Sequence, residues 1–145
     1  MSSEKALLGA FRIEWDIVGH VKLDEKGKIA FPKLPSKAGL YKFRVKKLDG
    51  SFGRYIGETD NLSRRFGHYR NPGPTQPTNL RLNALFKELL RRGEAIEIAI
   101  VTDRVWILRN NRDEVADLND KSMRRLFENF GLVMDKAHDV EDLNK

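Results

Sequence analysis

Tyr41, Tyr55, Arg65 and His68 fall within one stretch of this chain. Together they carry side chains suited to hydrolysing a phosphodiester. That reaction needs an activated water, neutralisation of charge on the phosphate and help for the departing alkoxide. The guanidinium of Arg65 offers a planar fork of donors that matches a phosphate. A tyrosine hydroxyl can assist the water if its own proton is drawn off. Its ordinary pKa of about 10 makes it a poor base alone, and a close cation lowers that pKa. Tyr41 is expected nearest the attacking water, with Tyr55 positioning water or phosphate. His68 could relay a proton or bond Tyr41. A single Mg²⁺ (or Mn²⁺) on a carboxylate and a substrate oxygen would offset charge on the leaving group. Plainer readings stand beside these. A strand tyrosine commonly keeps its ring in the core and its hydroxyl at the rim, and His68 could be an exposed histidine at a helix end.

The elements that must position these groups are legible in the pattern of apolar residues. From Gly39 to Lys47, Leu40, Lys42 and Arg44 alternate with Tyr41, Phe43 and Val45, the period of a strand. Leu48-Asp49-Gly50-Ser51 is a turn by composition, and Phe52 to Gly57 returns as the partner strand. Asp60 or Asn61 caps a helix with Leu62, Phe66 and Tyr69 on one face and Arg65 within a turn of it. Asn71-Pro72-Gly73-Pro74 ends that helix. Residues 79–92 form an amphipathic helix striped by Leu82, Leu85, Phe86, Leu89 and Leu90, and 95–101 read as a third strand. Val105 to Leu108 is a short strand or buried turn, and 113–118 a weak helix. Residues 120–134 form a stronger helix, with Met123, Leu126, Phe127, Phe130 and Val133 inward. Upstream, 11–18 alternate as a strand, and 21–31 follow with a turn at Lys26-Gly27, making a β-hairpin. The expected fold is α+β: a small three-stranded antiparallel sheet flanked by helices over 38–134. An N-terminal β extension covers 1–37 within the same globule, and a polar, frayed tail covers 135–145.

The net charge is +6, and its placement is more telling than its size. Residues 61–92 hold seven bases (Arg64, Arg65, Arg70, Arg81, Lys87, Arg91 and Arg92) against one acid, Glu88. A basic patch beside the candidate site points to a polyanion, most often nucleic acid. Arg64, Arg70, Arg81 and Lys87 are the leading phosphate contacts, with Gln76, Thr78 and Asn79 of the proline-rich loop as further nucleotide contacts. Each cation taken singly reads equally as a solvated charge. Trp15 and Trp106 read as packing residues. The absence of cysteine excludes disulfides, thiolate zinc sites and cysteine nucleophiles. It fits a cytoplasmic protein, as does an N-terminus without a secretory pattern. No apolar run approaches the ~20 residues that span a bilayer.

Gly39-Leu40-Tyr41 and Tyr55-Ile56-Gly57, followed by Asn61-Leu62 and Arg65, resemble the signature of the GIY-YIG nuclease family. The first tripeptide departs from GIY by one conservative change; the second matches YIG outright. The resemblance covers residues 38–134. It implies a three-stranded sheet carrying both tyrosines, a helical arginine on the phosphate and metal-dependent cleavage of DNA. Arg65 is preferred for that arginine on its distance from Tyr55. Arg64 is the alternative, because Arg64 and His68 share a helix face at i, i+4. Some restriction-type members of the family use a histidine after the arginine, which His68 would match. The family's metal carboxylate is a glutamate on a helix after the third strand, for which Glu128 is the natural candidate, with Asn129 as a supporting polar group. Repair-type members carry it about a turn earlier, where this chain has Met123. Either Glu128 is the ligand or the metal site is degraded. Glu58 stands where a basic or small residue often follows YIG. It either tunes the site or pairs with Arg54.

The leading expectation is therefore an endonuclease that hydrolyses DNA with one divalent metal and no organic cofactor, as a monomer or a homodimer. A second is a catalytically inactive nucleic-acid-binding module on the same fold. A third is a protein-interaction domain with a basic surface.

Overall fold

The computed structural model describes residues 6–136 and 140–144. Its elements run β1 (Ala10–Ile13), β2 (Asp16–His20), β3 (Lys22–Leu23), β4 (Ile29–Ala30), β5 (Gly39–Lys46), β6 (Phe52–Thr59), α1 (Leu62–Arg70), α2 (Pro77–Arg91), β7 (Ala95–Val101), β8 (Val105–Arg109), β9 (Arg112–Val115), α3 (Lys121–Met134) and β10 (Val140–Asp142). The class is α+β, as expected, but the main sheet has five strands in the order β10-β6-β5-β7-β2 rather than three. Antiparallel β6-β5-β7 form its centre. β2 adds antiparallel to β7 and β10 adds parallel to β6.

Both extra strands come from segments whose local pattern does not disclose a partner. Residues 11–18 alternate as one strand would, yet they divide at Glu14-Trp15 between two sheets. β1 pairs with β8, and β2 pairs with β7. Alternation records which side chains are half-buried, not which strand lies alongside. The hairpin around Lys26-Gly27 does form, as β3 and β4. Asp24 Oδ1 accepts the amides of Lys26 and Lys28, and Gly27 takes a φ of +75°.

The helix expected at 113–118 is instead β9, paired antiparallel with β8. Asn110 and Asn111 both have positive φ, 51° and 60°. Two such residues make the tight turn whose twist suits a hairpin, and asparagine tolerates that conformation. The tail also departs from expectation. β10 pairs with β6, Leu143 is buried, and Asn144 continues the ladder with its side chain. Asn144 Oδ1 accepts the Ile56 amide at 2.9 Å and Nδ2 donates to the Ile56 carbonyl at 2.6 Å.

The two faces of the main sheet have separate cores. α1 and α2 cover the face that carries Tyr41, Phe43 and Val45, packing Leu62, Phe66, Tyr69, Leu82 and Phe86 against it. α3 covers part of the other face with Phe127, against Leu40, Val101, Val105 and Leu118. Met123 and Phe130 pack there as expected, whereas Leu126 and Val133 are exposed. The buried stripe of α3 runs through Arg124, Phe127 and Gly131 instead. A Cβ on Gly131 would lie 3.3 Å from Ile56 Cδ1, so the glycine lets the helix approach β6 closely. Among the described residues no helix is long and apolar enough to cross a membrane.

Candidate active site

The two glycines of the paired tripeptides are explained by close approach. A Cβ on Gly57 would lie well inside 3.0 Å of Tyr41 Cζ and its hydroxyl, and one on Gly39 equally close to the Val101 carbonyl oxygen. Tyr41 and Gly57 face each other across the β5–β6 ladder. The missing side chain lets the Tyr41 ring lie flat over β6, with its hydroxyl above the backbone of the partner strand. Tyr55, opposite Phe43, stacks on Tyr41 with centroids 6.3 Å apart. The plain reading of a strand tyrosine holds for the Tyr41 ring, which is 2% exposed, but its hydroxyl does not reach open solvent.

That hydroxyl meets Tyr69 Oη at 2.6 Å, in a buried contact. The sequence pattern puts Tyr69 on the core face of α1 and gives it no further role; the structure brings its hydroxyl to Tyr41. Its signal was chemical. A tyrosine occupies the wholly buried face of α1, one turn beyond Arg65, where an aliphatic side chain would fill the same space. Burial pushes both phenols well above the ordinary tyrosine value; Tyr55 adds to this in each, Arg65 opposes it, and the bond between them raises Tyr69 while lowering Tyr41. Both are therefore neutral at pH 7.

Arg65 is half-buried among these hydroxyls. Burial alone would lower its pKa, but the oxygens of Tyr41, Tyr69, Tyr55 and Glu58 outweigh that and hold it charged. Arg64, by contrast, is exposed and pairs with Asp60. Arg65 is thus the arginine that faces the tyrosines. Asn61 caps α1 by accepting the Arg64 amide at 3.0 Å, which fixes the first turn that carries both arginines.

Glu128 approaches from α3. The amide of Ile56 points outward from β6 to Asn144, and two residues on the Glu58 backbone lies close enough to Glu128 to favour its charged form. Glu128 lies near enough to Tyr41 and Arg65 to act on the titration of Tyr41 and to be acted on by Arg65. The expected pairing of Glu58 with Arg54 is not made. Glu58 accepts from Arg124 Nε at 2.7 Å, and Arg124 also donates to the Leu118 and Asn119 carbonyls. Arg54 turns away to Asp142, Asn144 and the Leu132 carbonyl. The Arg124–Glu58 pair, whose arginine is buried, clamps α3 to β6 one turn before Glu128, and nothing local in the sequence announces it.

Burial, and then the Glu58 carboxylate, raise the pKa of Glu128 above its ordinary 4.5. The folded chain therefore holds a proton there that the unfolded chain has released, and stability falls as pH rises through the window above 4.5. In metal-free buffer, Glu128→Gln is expected to melt above wild type at pH 7.5. The difference should close as pH falls toward about 4. A Tm difference independent of pH would contradict a titration at this position.

The remaining candidates divide. His68 is exposed on α1; the hydrogen-bond partner of the Tyr41 hydroxyl is Tyr69, not His68. His68 instead lines a cleft of about 330 Å³ with Arg64, Arg65, Gln76, Thr78 and Asn79. Arg70 bonds Asp24 and the Ile29 carbonyl, so it braces the β3–β4 hairpin. Arg81 bonds the Leu143 carbonyl, and Arg92 pairs with Glu88 and Glu94. Lys87 is half-buried on α2, and Asn129 is exposed beside Glu128. Trp15 packs with the back core and Trp106 lies under Arg12, so both serve packing.

The donor set suits a hard divalent cation in one way only. Among the described residues no three His, Asp or Glu gather to hold a metal. Glu128 is a single half-buried carboxylate beside an exposed strand edge, and its nearest acid, Glu58, is held by Arg124. Mg²⁺ is commonly bound by one or two carboxylates, with water and substrate phosphate completing its shell. Glu128 fits that role.

Among solved structures, a point mutant of bacteriophage T4 EndoII is similar to this chain, with a TM-score of 0.53 and 20% identity over 80% of this chain and 86% of that one. No family model matches the chain, and no curated protein matches it. At that identity the likeness is one of fold.

Proposed function

We propose that the chain is an endonuclease that hydrolyses DNA phosphodiester bonds with a tyrosine-assisted water and one divalent metal. One observation supports this reading: Tyr41 stacks on Tyr55 across β5 and β6 and its hydroxyl meets Tyr69 Oη at 2.6 Å, with the half-buried Arg65 one turn before Tyr69 on α1 and Glu128 on α3, which packs against β6. The fold likeness to phage EndoII agrees with it. Arg65 grips the scissile phosphate and stabilises the added charge of the transition state. Tyr41, neutral, buried and held by Tyr69, orients the attacking water through its oxygen when substrate binding brings that water against the site. Tyr55 bounds the other side of that water. The water oxygen forms the new bond to phosphorus, the bond to the sugar oxygen breaks, and the water proton leaves to solvent. The departing oxygen takes a proton in return. Mg²⁺ held by Glu128, when bound, supplies charge neutralisation on the phosphate and the leaving oxygen.

The reading is tested with supercoiled plasmid. Nicking is expected with Mg²⁺ or Mn²⁺ and none with excess EDTA. The lone carboxylate gives weight to a second reading, a module that binds nucleic acid without cutting it. No cleavage with either metal, but binding that weakens steeply with salt, would establish that second reading and end the first.

A further inference from the structure

The cleft between α1 and the start of α2 lies beside the tyrosine cluster but belongs to no step above. Arg64, Arg65 and His68 wall one side of it, and Gln76, Thr78 and Asn79 the other. Arg65 is common to the cleft and to the tyrosines, so the two spaces are adjacent. The far wall is prearranged. Gln76 Oε1 accepts the Gly73 amide at 3.0 Å and Asn79 Nδ2 at 2.9 Å, and Asn79 is 6% exposed. Thr78 is exposed on the same wall. A volume of about 330 Å³ is at the small end of ligand pockets and suits one nucleotide unit rather than a duplex. Asp60 also lines the cleft, and its carboxylate holds Arg64. An internal anion therefore already occupies the arginine that faces this space.

We propose that this cleft seats the phosphate next to the scissile one on the cut strand, with Arg64 as its cation and Asp60 as the internal anion that the phosphate displaces. The proposal rests on the nuclease reading for which strand is cut, but not for the binding itself. Losing Asp60 should tighten DNA binding, and losing Arg64 should weaken it. The cap of α1 belongs to Asn61, so Asp60→Asn leaves the helix start intact. Arg109, an exposed arginine paired with Glu114 on the small sheet, provides a remote control for simple loss of charge.

The experiment measures binding of a labelled DNA duplex of about 20 base pairs across a salt series, in the Glu128→Gln background so that no cleavage intervenes. Arg64→Gln is expected to flatten the slope of log K against log salt by about 1 and to weaken binding about tenfold near 0.1 M salt. Asp60→Asn is expected to tighten binding about threefold or more at the same salt, as the freed arginine becomes available to phosphate. Arg109→Gln leaves the slope alone. With Glu128 restored, Arg64→Gln raises KM for DNA by a larger factor than it lowers kcat. An unchanged slope in Arg64→Gln, an equal change in Arg109→Gln, weaker binding by Asp60→Asn, or no DNA binding at all would each overturn the proposal. The expected slopes in a protein that never cuts DNA would remove the nuclease reading and leave the phosphate seat standing.

Discussion

Tyr41→Phe is expected to give a folded protein that cuts DNA about 10³-fold more slowly than wild type, or worse. The change removes one oxygen and keeps the ring that fills the space above Gly57. On the proposed reading the lost oxygen is the one that orients the attacking water; its neighbour, Tyr69 Oη at 2.6 Å, is anchored on α1 rather than on the strand. The same change leaves Tyr69 Oη buried without its 2.6 Å partner. An orphaned hydroxyl costs about 1–3 kcal/mol, so melting should drop while far-UV dichroism stays native. Single-turnover cleavage and a thermal melt on one preparation separate the two effects. Tyr69→Phe supplies the contrast. It keeps the Tyr41 oxygen but frees it to rotate, so its cleavage should fall less than that of Tyr41→Phe. Wild-type cleavage by Tyr41→Phe would remove Tyr41 from the chemistry.

The second large effect is expected at Gly57→Ala. One methyl group would meet the Tyr41 ring and hydroxyl at a separation that Cβ atoms do not keep. The ring cannot simply swing aside. Phe43, Phe66 and Tyr69 pack around it with centroids 5.3–6.0 Å away. Overpacking of this kind costs about 1–3 kcal/mol. The Tyr41 hydroxyl must also shift by about an ångström, and misplacement on that scale costs about 10²-fold in rate. Urea unfolding and cleavage rates measure the two parts. A variant with full stability and full activity would show that the close contact has no bearing on the site. At exposed Gly67, by contrast, a Cβ meets nothing within 4 Å, and alanine there should be tolerated.

The parts of this molecule that were legible in sequence are those encoded over a few neighbouring residues. The strands β5, β6 and β7 announce themselves by alternation, and α1, α2 and α3 by their apolar residues, with Asp60 or Asn61 as the expected cap of α1, of which Asn61 makes it. Both tyrosines and Arg65 could be named because their surroundings follow a compact pattern, whereas Glu128 was expected only from the family resemblance, at a point where the chain departs from it. What escaped was set by contacts distant in the chain. The partner of Tyr41 is 28 positions away, that of Glu58 is 66, and Asn144 reaches back 88 to Ile56. Each of these residues reads locally as something ordinary: a core aromatic, a surface acid, a tail amide. The helix expected at 113–118 failed for a local reason. Asp-Glu-Val-Ala has fair helical composition, and the Asn110-Asn111 turn signal just before it was given no weight. The inward stripe of α3 was misplaced because a buried arginine and a glycine do not look apolar. Arg124 is buried because Glu58 and two carbonyls receive its donors, and Gly131 because β6 comes close.

That pattern bears on function as well. The residues proposed to do the chemistry sit on elements that local sequence encodes, whereas their partners (Tyr69 for the Tyr41 hydroxyl, Arg124 for the helix that carries Glu128) come from pairings across the fold. A site built this way tolerates few substitutions that look conservative. Arg124→Lys would keep the charge but lose the fork that reaches Glu58 and two carbonyls at once.

The central claim is that one carboxylate, Glu128, joins Arg65 and the tyrosines in a working nuclease site. The most direct measurement compares wild type and Glu128→Gln on supercoiled plasmid in Mg²⁺, with DNA binding measured on the same preparations. The account predicts that wild type nicks the plasmid. Glu128→Gln should bind DNA at least as well and cut about 10³-fold more slowly or not at all. Equal cleavage by the two proteins would contradict it.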